Sequence, residues 1–171
     1  MPTQIIEIKA RCFDPDRIHQ ILMANNARFV GTDHQIDTYF EVPRGRLKLR
    51  EGNIERTLIH YHRPNQAGPK RSDVTYQRLP AELSLKPVLV AALKTLIVVD
   101  KKRKIYFIDN VKFHIDEVVQ LGSFVEIEAI DETGELGLET IRKQCNQFKK
   151  LLDIKERDLI EKSYSDLMLP T

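Results

Sequence analysis

Apolar and charged residues alternate along several short stretches that lie far apart in the chain. In residues 5–9, glutamate and lysine alternate with isoleucine, and in residues 46–50 arginine and lysine alternate with leucine. Residues 124–129 repeat the pattern with two glutamates. Because successive side chains of a β-strand point to opposite faces, each stretch predicts a strand with one charged face and one apolar face.

Patterning of this kind, interrupted by turn residues, predicts about eight antiparallel strands and several helices. Asp14-Pro15 indicates a helix N-terminus, because aspartate caps helices and proline fits the first helical position. The predicted strands are 4–12, 35–42, 46–51, 56–63, 73–79, 98–109, 111–116 and 123–131, and the predicted helices are 15–27, 81–96 (kinked or restarted at Pro87), 136–152 and 155–169. This order predicts an α+β fold with an eight-stranded antiparallel β-barrel, closed or nearly closed, and flanking helices.

Composition narrows the class of protein. The 171 residues are 42% hydrophobic and 30% charged, which predicts one soluble globular domain over residues 1–171. A net charge of only +2 argues against binding nucleic acid by broad attraction. The longest apolar-leaning stretch, residues 87–99, is too short to span a membrane. Since the N-terminal residues show no signal peptide pattern, a cytoplasmic location is expected. Cys12 and Cys145 are expected to be buried reduced thiols, with a single disulfide as the alternative.

The signs of the charges are segregated between strands. Basic residues share a face on the middle strands, whereas paired acids share a face on the last strand. Segregated charge favours an inward face balanced by a ligand over an ordinary solvated face, and carboxylates opposed to lysine and arginine suit a metal–polyphosphate site. The candidate bases are Lys9, Lys48, Arg50, Arg63, Lys101 and Arg103, and the candidate acids are Glu7, Asp116, Glu126 and Glu128.

The charges of this candidate set match a triphosphate. Six bases and four acids leave +2, and one Mg²⁺ or Mn²⁺ raises the sum to about +4, as a fully ionised triphosphate requires. Arg46 and Arg78 are further candidates that could equally lie on the surface. Ser163 and Ser165 are expected on the surface of the last helix, and the five histidines have no zinc-like spacing.

Longer runs carry a resemblance that covers nearly the whole chain. They are EIK at 7–9, DTYFEVPRGRLKLRE at 37–51, YHRP at 61–64, KKRKIY at 101–106, HIDEVVQLGSFVEIE at 114–128 and SYSDLM at 163–168. Together they resemble the CYTH superfamily of triphosphate tunnel metalloenzymes, which includes class IV adenylate cyclases and thiamine triphosphatases. The similarity is closest to the bacterial class IV cyclase-like branch. The resemblance implies an eight-stranded barrel whose polar interior holds a triphosphate, with Mg²⁺ or Mn²⁺ as cofactor.

The resemblance also implies roles for individual residues. Catalytic roles fall to Lys9, Glu7, Glu126 and Glu128; metal binding falls to Glu7, Asp116, Glu126 and Glu128; phosphate binding falls to Lys9, Lys48, Arg50, Arg63, Lys101 and Arg103. The sequence departs from the family pattern at Ile5, which replaces the first glutamate of an ExExK signature, and it lacks the His-Phe pair that precedes this signature in class IV cyclases.

The expected function is metal-dependent hydrolysis of a small-molecule triphosphate, such as ATP, thiamine triphosphate or tripolyphosphate, by a monomer or homodimer without nucleic-acid or membrane partners. Two alternatives remain open from the sequence. One is cyclisation of ATP to cAMP and pyrophosphate. The other is a module that binds nucleotide or polyphosphate without catalysis.

Overall fold

The computed structural model describes residues 2–169, in which eight strands close into one antiparallel barrel. Around the barrel the strands follow the order β1-β5-β4-β3-β2-β6-β7-β8. The strands are β1 (Thr3–Arg11), β2 (Arg28–Phe40), β3 (Arg46–Glu51), β4 (Arg56–His62), β5 (Lys70–Arg78), β6 (Thr95–Ile108), β7 (Val111–Val118) and β8 (Gly122–Asp131). The helices are α1 (Pro15–Ala24), α2 (Lys86–Ala92), α3 (Leu138–Leu151) and α4 (Tyr164–Met168). The predicted α+β fold and closed barrel are confirmed.

The main apolar core lies outside the barrel, between its wall and two helices. Ile6, Ile8 and Phe113 point outward from β1 and β7 and pack with Ile18 of α1 and Ile141 of α3. Burying these outward faces removes apolar surface from water, which is the dominant stabilising term of a fold. The alternate side chains of the same strands therefore face the interior, and these are the charged ones.

The C-terminal residues 159–169, here called the plug, close one end of the barrel. Val99, Val118 and Phe124 point inward at this end and pack against Tyr164 of α4. The ring centroids of Phe124 and Tyr164 are 4.9 Å apart. At the opposite end, here called the mouth, the exposed residues Arg78 and Glu132 border the interior. The interior of the barrel is therefore closed at the plug and open at the mouth.

The predicted helix over 155–169 is wrong for most of its length. The structure has a 3-10 turn at Glu156–Asp158, an extended segment, and then α4. Leu159 forms a β-bridge with Ala10, and the N–H of Ile160 donates to the Lys9 carbonyl at 2.9 Å. Backbone groups that a helix would use internally thus bind β1 instead, which seats the plug against the barrel.

The other differences from the predicted elements are shifts in their ends. The predicted helix over 81–96 shrinks to α2, in which Pro87 lies in the first turn, where its missing N–H is tolerated. Strands β2 and β6 begin at Arg28 and Thr95, earlier than predicted, because they pair with each other along nearly their whole length. None of the helices among residues 2–169 is long and apolar enough to cross a bilayer. Cys12 and Cys145 are buried free thiols, as the main expectation had it.

Candidate functional site

The barrel encloses a cavity, here called the tunnel, to which all eight strands contribute side chains. Its volume is about 230 Å³. One water molecule needs about 10–15 Å³ of such space, so the interior is hollow rather than packed. Nine of the ten predicted site residues line this tunnel, namely Glu7, Lys9, Lys48, Arg50, Arg63, Lys101, Arg103, Glu126 and Glu128. The tenth, Asp116, is buried beneath Arg103 and Tyr164, which line the tunnel.

A buried carboxylate that the sequence analysis did not select, Asp37, holds three of the predicted bases. It accepts two hydrogen bonds from Arg50, at 3.0 and 2.9 Å, and one from Lys101 at 2.6 Å. The Lys48 ammonium lies 3.7 Å away. Burial alone would raise the pKa of Asp37, but the charges of Arg50 and Lys101 outweigh it and hold the pKa well below its usual range. Asp37 thus holds Arg50 and Lys101 in place by hydrogen bonds.

The position of Asp37 could have been found from the sequence. Residues 41–45 contain proline and glycine, and a hairpin there sets Asp37 directly opposite Arg50 on the neighbouring strand. Opposite charges at directly facing positions of antiparallel strands stabilise each other.

The second cluster is built on Arg103. Its guanidinium donates two hydrogen bonds to Asp116, both at 2.7 Å, and a third to Glu126 at 3.2 Å. The Tyr164 hydroxyl of the plug donates to the second oxygen of Asp116 at 2.7 Å. Both oxygens of Asp116 are therefore engaged by protein donors. The fork-to-fork geometry fixes the Arg103 plane, because a bidentate pair allows little rotation.

The acidic side of the tunnel lies on β1, β7 and β8. Glu128 is directly opposite Glu7 in the strand pairing, and Glu126 is opposite His114. Glu7 forms an ion pair with Arg63. Ligand atoms of His114, Glu126 and Glu128 all lie within 4.8 Å of one another, so these three residues can hold a divalent cation. In the sequence His114 alternates with Asp116 on one face of β7, but only strand pairing places it beside the two glutamates.

Two tunnel lysines have weak protein partners. The Lys9 ammonium is 3.4 Å from a plug carbonyl and lies over the Tyr164 ring at 3.9 Å. The Lys48 ammonium is 3.5 Å from the Tyr39 hydroxyl. Burial lowers the pKa of Lys9, although nearby Glu126 partly opposes the shift. A buried ammonium with so little compensation favours the arrival of an anion.

Two more lysines lie close to other cations and have lowered pKa values. Burial lowers the pKa of Lys101 to about 7, against the opposing attraction of Asp37. Lys70, which the sequence analysis missed, is also buried, and its pKa is lowered to about 7 by burial and by the nearby charge of Arg63. Lys70 donates to the carbonyl of Glu161 in the plug at 2.8 Å.

One side of the tunnel wall carries apolar residues. Ile5, at the position where the family signature has glutamate, points into the tunnel beside Ile130 of β8 and Ser72 of β5. Ile59 and Val74 continue this apolar wall. The tunnel therefore has an aliphatic patch on β1, β4, β5 and β8, while charged residues such as Arg78 and Glu132 border the mouth.

The turn between β3 and β4 reaches across the rim to β7. Glu55 in this turn forms an ion pair with Lys112 and accepts a hydrogen bond from Gln35 at 2.9 Å. Asp33 holds the turn by accepting from the backbone N–H groups of residues 53–55 at 2.6–2.9 Å. Gly52 is required there, since a Cβ atom would lie 2.6 Å from the Asp33 carboxylate. Sequence analysis selected none of these residues.

The expected surface placement of Ser163 and Ser165 is wrong. Both are buried, and they belong to the plug. Arg46, half-buried, donates to Ser163 at 3.0 Å and forms a bidentate pair with Asp166 at 2.8 and 2.7 Å. The three hydrogen bonds fasten the plug to the start of β3. Arg78 is exposed and borders the tunnel at the mouth.

Comparison with known proteins identifies the family. Residues 4–164 match the CYTH domain model. The chain belongs to the CYTH family. Its charged tunnel and its membership support a triphosphate-tunnel protein of the phosphoryl-transfer class. None of the functionally curated proteins matched the sequence.

Solved structures share the CYTH barrel. The PH1012 protein of Pyrococcus horikoshii is 26% identical, with a TM-score of 0.77, and the match covers 96% of this chain and 99% of that one. A Vibrio parahaemolyticus protein provisionally named an adenylate cyclase is 16% identical, with a TM-score of 0.79 and coverage of 98% and 99%. A Hippeastrum protein described as having a dominant triphosphatase activity is 15% identical, with a TM-score of 0.56 and coverage of 95% and 93%. The last two similarities establish the fold alone.

Proposed function

We propose that this CYTH protein hydrolyses the triphosphate group of a small organic substrate with the help of Mg²⁺ or Mn²⁺. The observation that carries the proposal is a tunnel lined by cations in which the buried Lys9 ammonium has no carboxylate within 4.0 Å among the described residues, while the half-buried Lys48 ammonium has Asp37 only at 3.7 Å. Buried cations of this kind are costly unless an anion joins them. A triphosphate supplies several negative oxygens to the bases that line the tunnel.

The residues divide into two groups in this proposal. Glu7, Glu126 and Glu128 would hold the metal, which would supply positive charge against the charge that develops on the phosphates. The phosphate oxygens are contacted by Lys9, Lys48, Arg50, Arg63, Lys101 and Arg103.

Asp116 receives a different role from the one that the resemblance implied. Since both of its oxygens already accept hydrogen bonds from Arg103 and Tyr164, we assign it to orienting Arg103 rather than to binding the metal. Asp37 orients Arg50 and Lys101 in the same way. Donors that are held in place before the reaction need no reorganisation in the transition state, and this is the largest contribution expected from the protein.

In the reaction a water molecule attacks the terminal phosphorus atom. A bond forms from the water oxygen to phosphorus, the bond to the bridging oxygen breaks, and the products are orthophosphate, the organic diphosphate and a proton. Charge accumulates on the leaving oxygens, where the fixed cations of the tunnel stabilise it.

The aliphatic patch of the tunnel favours an organic substrate over inorganic tripolyphosphate. Ile5, Ile59, Val74 and Ile130 form an aliphatic patch on one side of the tunnel, which the group attached to the phosphates could contact. Contact with the apolar face of an organic group removes this surface from water and so contributes to the free energy of binding, whereas contact with a phosphate contributes nothing of this kind.

The decisive measurement is the release of orthophosphate, pyrophosphate and cAMP from ATP, thiamine triphosphate and tripolyphosphate with Mg²⁺ or Mn²⁺. We expect orthophosphate from an organic triphosphate. Equal formation of cAMP and pyrophosphate from ATP would identify a cyclase instead, and tight binding of every compound without turnover would identify a binding module.

A matched pair of variants ties any activity to the tunnel. Lys101 points inward on β6, whereas the adjacent Lys102 points outward and is exposed. Lys101→Met should lower kcat/KM about 10- to 100-fold, because one charge-assisted hydrogen bond contributes about 1.5–3 kcal/mol. Lys102→Met should leave kcat/KM within about twofold of the wild type. Equal effects of the two substitutions would place the reaction outside the tunnel.

A further inference from the structure

The His114 side chain is buried without a hydrogen-bonding partner. Only 1% of its surface is exposed, and both ring nitrogens lack a partner among the described residues. Leaving one buried polar atom unpaired costs about 1–3 kcal/mol, so an imidazole with two such atoms is unfavourable in the empty protein. Its environment indicates a ligand that the polypeptide itself does not provide.

Two carboxylates face the same nitrogen at matching distances. The Nδ1 atom lies 3.9 Å from Glu126 Oε2 and 3.8 Å from Glu128 Oε1. Both distances exceed those of hydrogen bonds, which end near 3.2 Å. Ligand atoms that each lie about 2.1 Å from one ion are about 3.0–3.4 Å apart, so a small inward shift would let all three atoms contact a shared cation.

The neighbouring contacts leave these three atoms available. Arg103 binds the other oxygen of Glu126, at 3.2 Å, and so fixes the carboxylate with Oε2 toward His114. Arg103 keeps its bidentate pair with Asp116, so a cation beside Glu126 would not leave the guanidinium unpaired. Glu128 makes no side-chain hydrogen bond within residues 2–169. One nitrogen and two carboxylate oxygens therefore converge without a competing protein donor on any of them.

We propose that His114, Glu126 and Glu128 form a mixed nitrogen–oxygen site that takes a first-row transition ion such as Mn²⁺ in preference to Mg²⁺. The inference rests on the proposed function only in placing a metal at the two glutamates. Imidazole nitrogen is a good ligand for first-row transition ions, whereas Mg²⁺ prefers oxygen ligands and retains several waters. An imidazole held in the ligand set thus discriminates between the two ions.

The test is pulsed EPR on chelator-stripped full-length protein loaded with Mn²⁺ alone. The expected spectrum contains a ¹⁴N coupling from a directly bound imidazole. His114→Asn should abolish this coupling and weaken Mn²⁺ binding about tenfold or more, while Mg²⁺ affinity, measured by competition, changes less than about threefold. The matched control is His62→Asn, at an exposed position on β4, which should change neither the coupling nor either affinity.

Several outcomes would overturn the proposal. They are a wild-type Mn²⁺ spectrum without nitrogen coupling, no Mn²⁺ binding at all, or an equal loss of Mg²⁺ and Mn²⁺ affinity in His114→Asn. If that variant does not fold, the wild-type coupling and the wild-type ratio of the two affinities decide. Nitrogen-coordinated Mn²⁺ without triphosphate turnover would refute the proposed function alone, and turnover with oxygen-only Mn²⁺ would refute the histidine site alone.

Discussion

Replacing Asp37 by asparagine tests whether the tunnel is built to receive an anion. The substitution removes the carboxylate that accepts hydrogen bonds from both Arg50 and Lys101, at a position only 1% exposed, and leaves Arg50 with the longer contact to Glu55 at 3.5 Å. Breaking a buried ion pair from one side costs about 3–5 kcal/mol, because the remaining charges stay buried and unpaired. We therefore expect Asp37→Asn to lower the free energy of unfolding by about 3–5 kcal/mol in the absence of ligand.

Tripolyphosphate should reverse much of this loss. A bound anion replaces the missing carboxylate, so the variant should bind tripolyphosphate more tightly than the wild type does. A ligand at 100 times its Kd adds about 2.7 kcal/mol to the free energy of unfolding. Urea unfolding with and without tripolyphosphate measures both effects.

The control for this experiment is Asp73→Asn. Asp73 pairs with Arg71, but both side chains are more than two-fifths exposed. Exposed pairs contribute about 0–1 kcal/mol, so this substitution should change stability little and should not alter the response to tripolyphosphate. Two results would refute the reasoning. One is a decrease of less than about 1 kcal/mol in the free energy of unfolding of Asp37→Asn. The other is an affinity of this variant for tripolyphosphate that does not exceed that of the wild type.

Three further predictions follow from the same geometry. Glu126→Gln should lower metal-dependent turnover at least about 100-fold by removing charge from the proposed metal site, whereas Glu117→Gln, an exposed position on β7, should not. Tripolyphosphate affinity should fall as pH rises above about 7, as titration calorimetry would measure. Burial lowers the pKa of Lys101 to about 7 in the free protein, and the anion prefers the protonated amine, so binding takes up a proton. Arg46→Ala should loosen the plug by about 1 kcal/mol and expose it to limited proteolysis, because Arg46 holds Asp166.

Each of these predictions has an outcome that would contradict it. Full turnover in Glu126→Gln would remove this residue from the metal site. An affinity for tripolyphosphate that stays level or rises with pH, matched by the same profile in Lys101→Arg, would show that the Lys101 amine does not control binding. Unchanged protease resistance in both Arg46→Ala and Asp166→Asn would mean that the plug is held by its apolar contacts alone.

Strands were predicted correctly where charged and apolar residues alternate, because this alternation depends only on neighbouring residues in the chain. The stretch 46–50 and the two glutamates of β8 place their charges on one face whatever the strand pairs with. The helix predicted over 155–169 failed because apolar spacing cannot distinguish a free helix from a segment whose backbone groups bind another strand. The bridge from Leu159 to Ala10 is such a case, across about 150 residues of chain.

The site was predictable to the extent that one face of each strand identifies its members. Lys48 and Arg50 were selected in this way, and both line the tunnel. Asp37 was not selected although the hairpin after it indicates its partner, and the place of His114 in the site depends on the residue that faces it on β8. A carboxylate opposite Arg50 and an imidazole opposite Glu126 are products of register.

By itself the sequence determined that this protein would carry strands with one charged and one apolar face, because alternation is a property of the extended chain. Which face would point inward was decided by the tertiary structure. Helices α1 and α3 cover the apolar faces of β1, β7 and β8 from outside, so the charged faces can only close on one another. Strand order and register then set each acid beside its base, because hydrogen bonding between strands joins residues that the chain holds far apart.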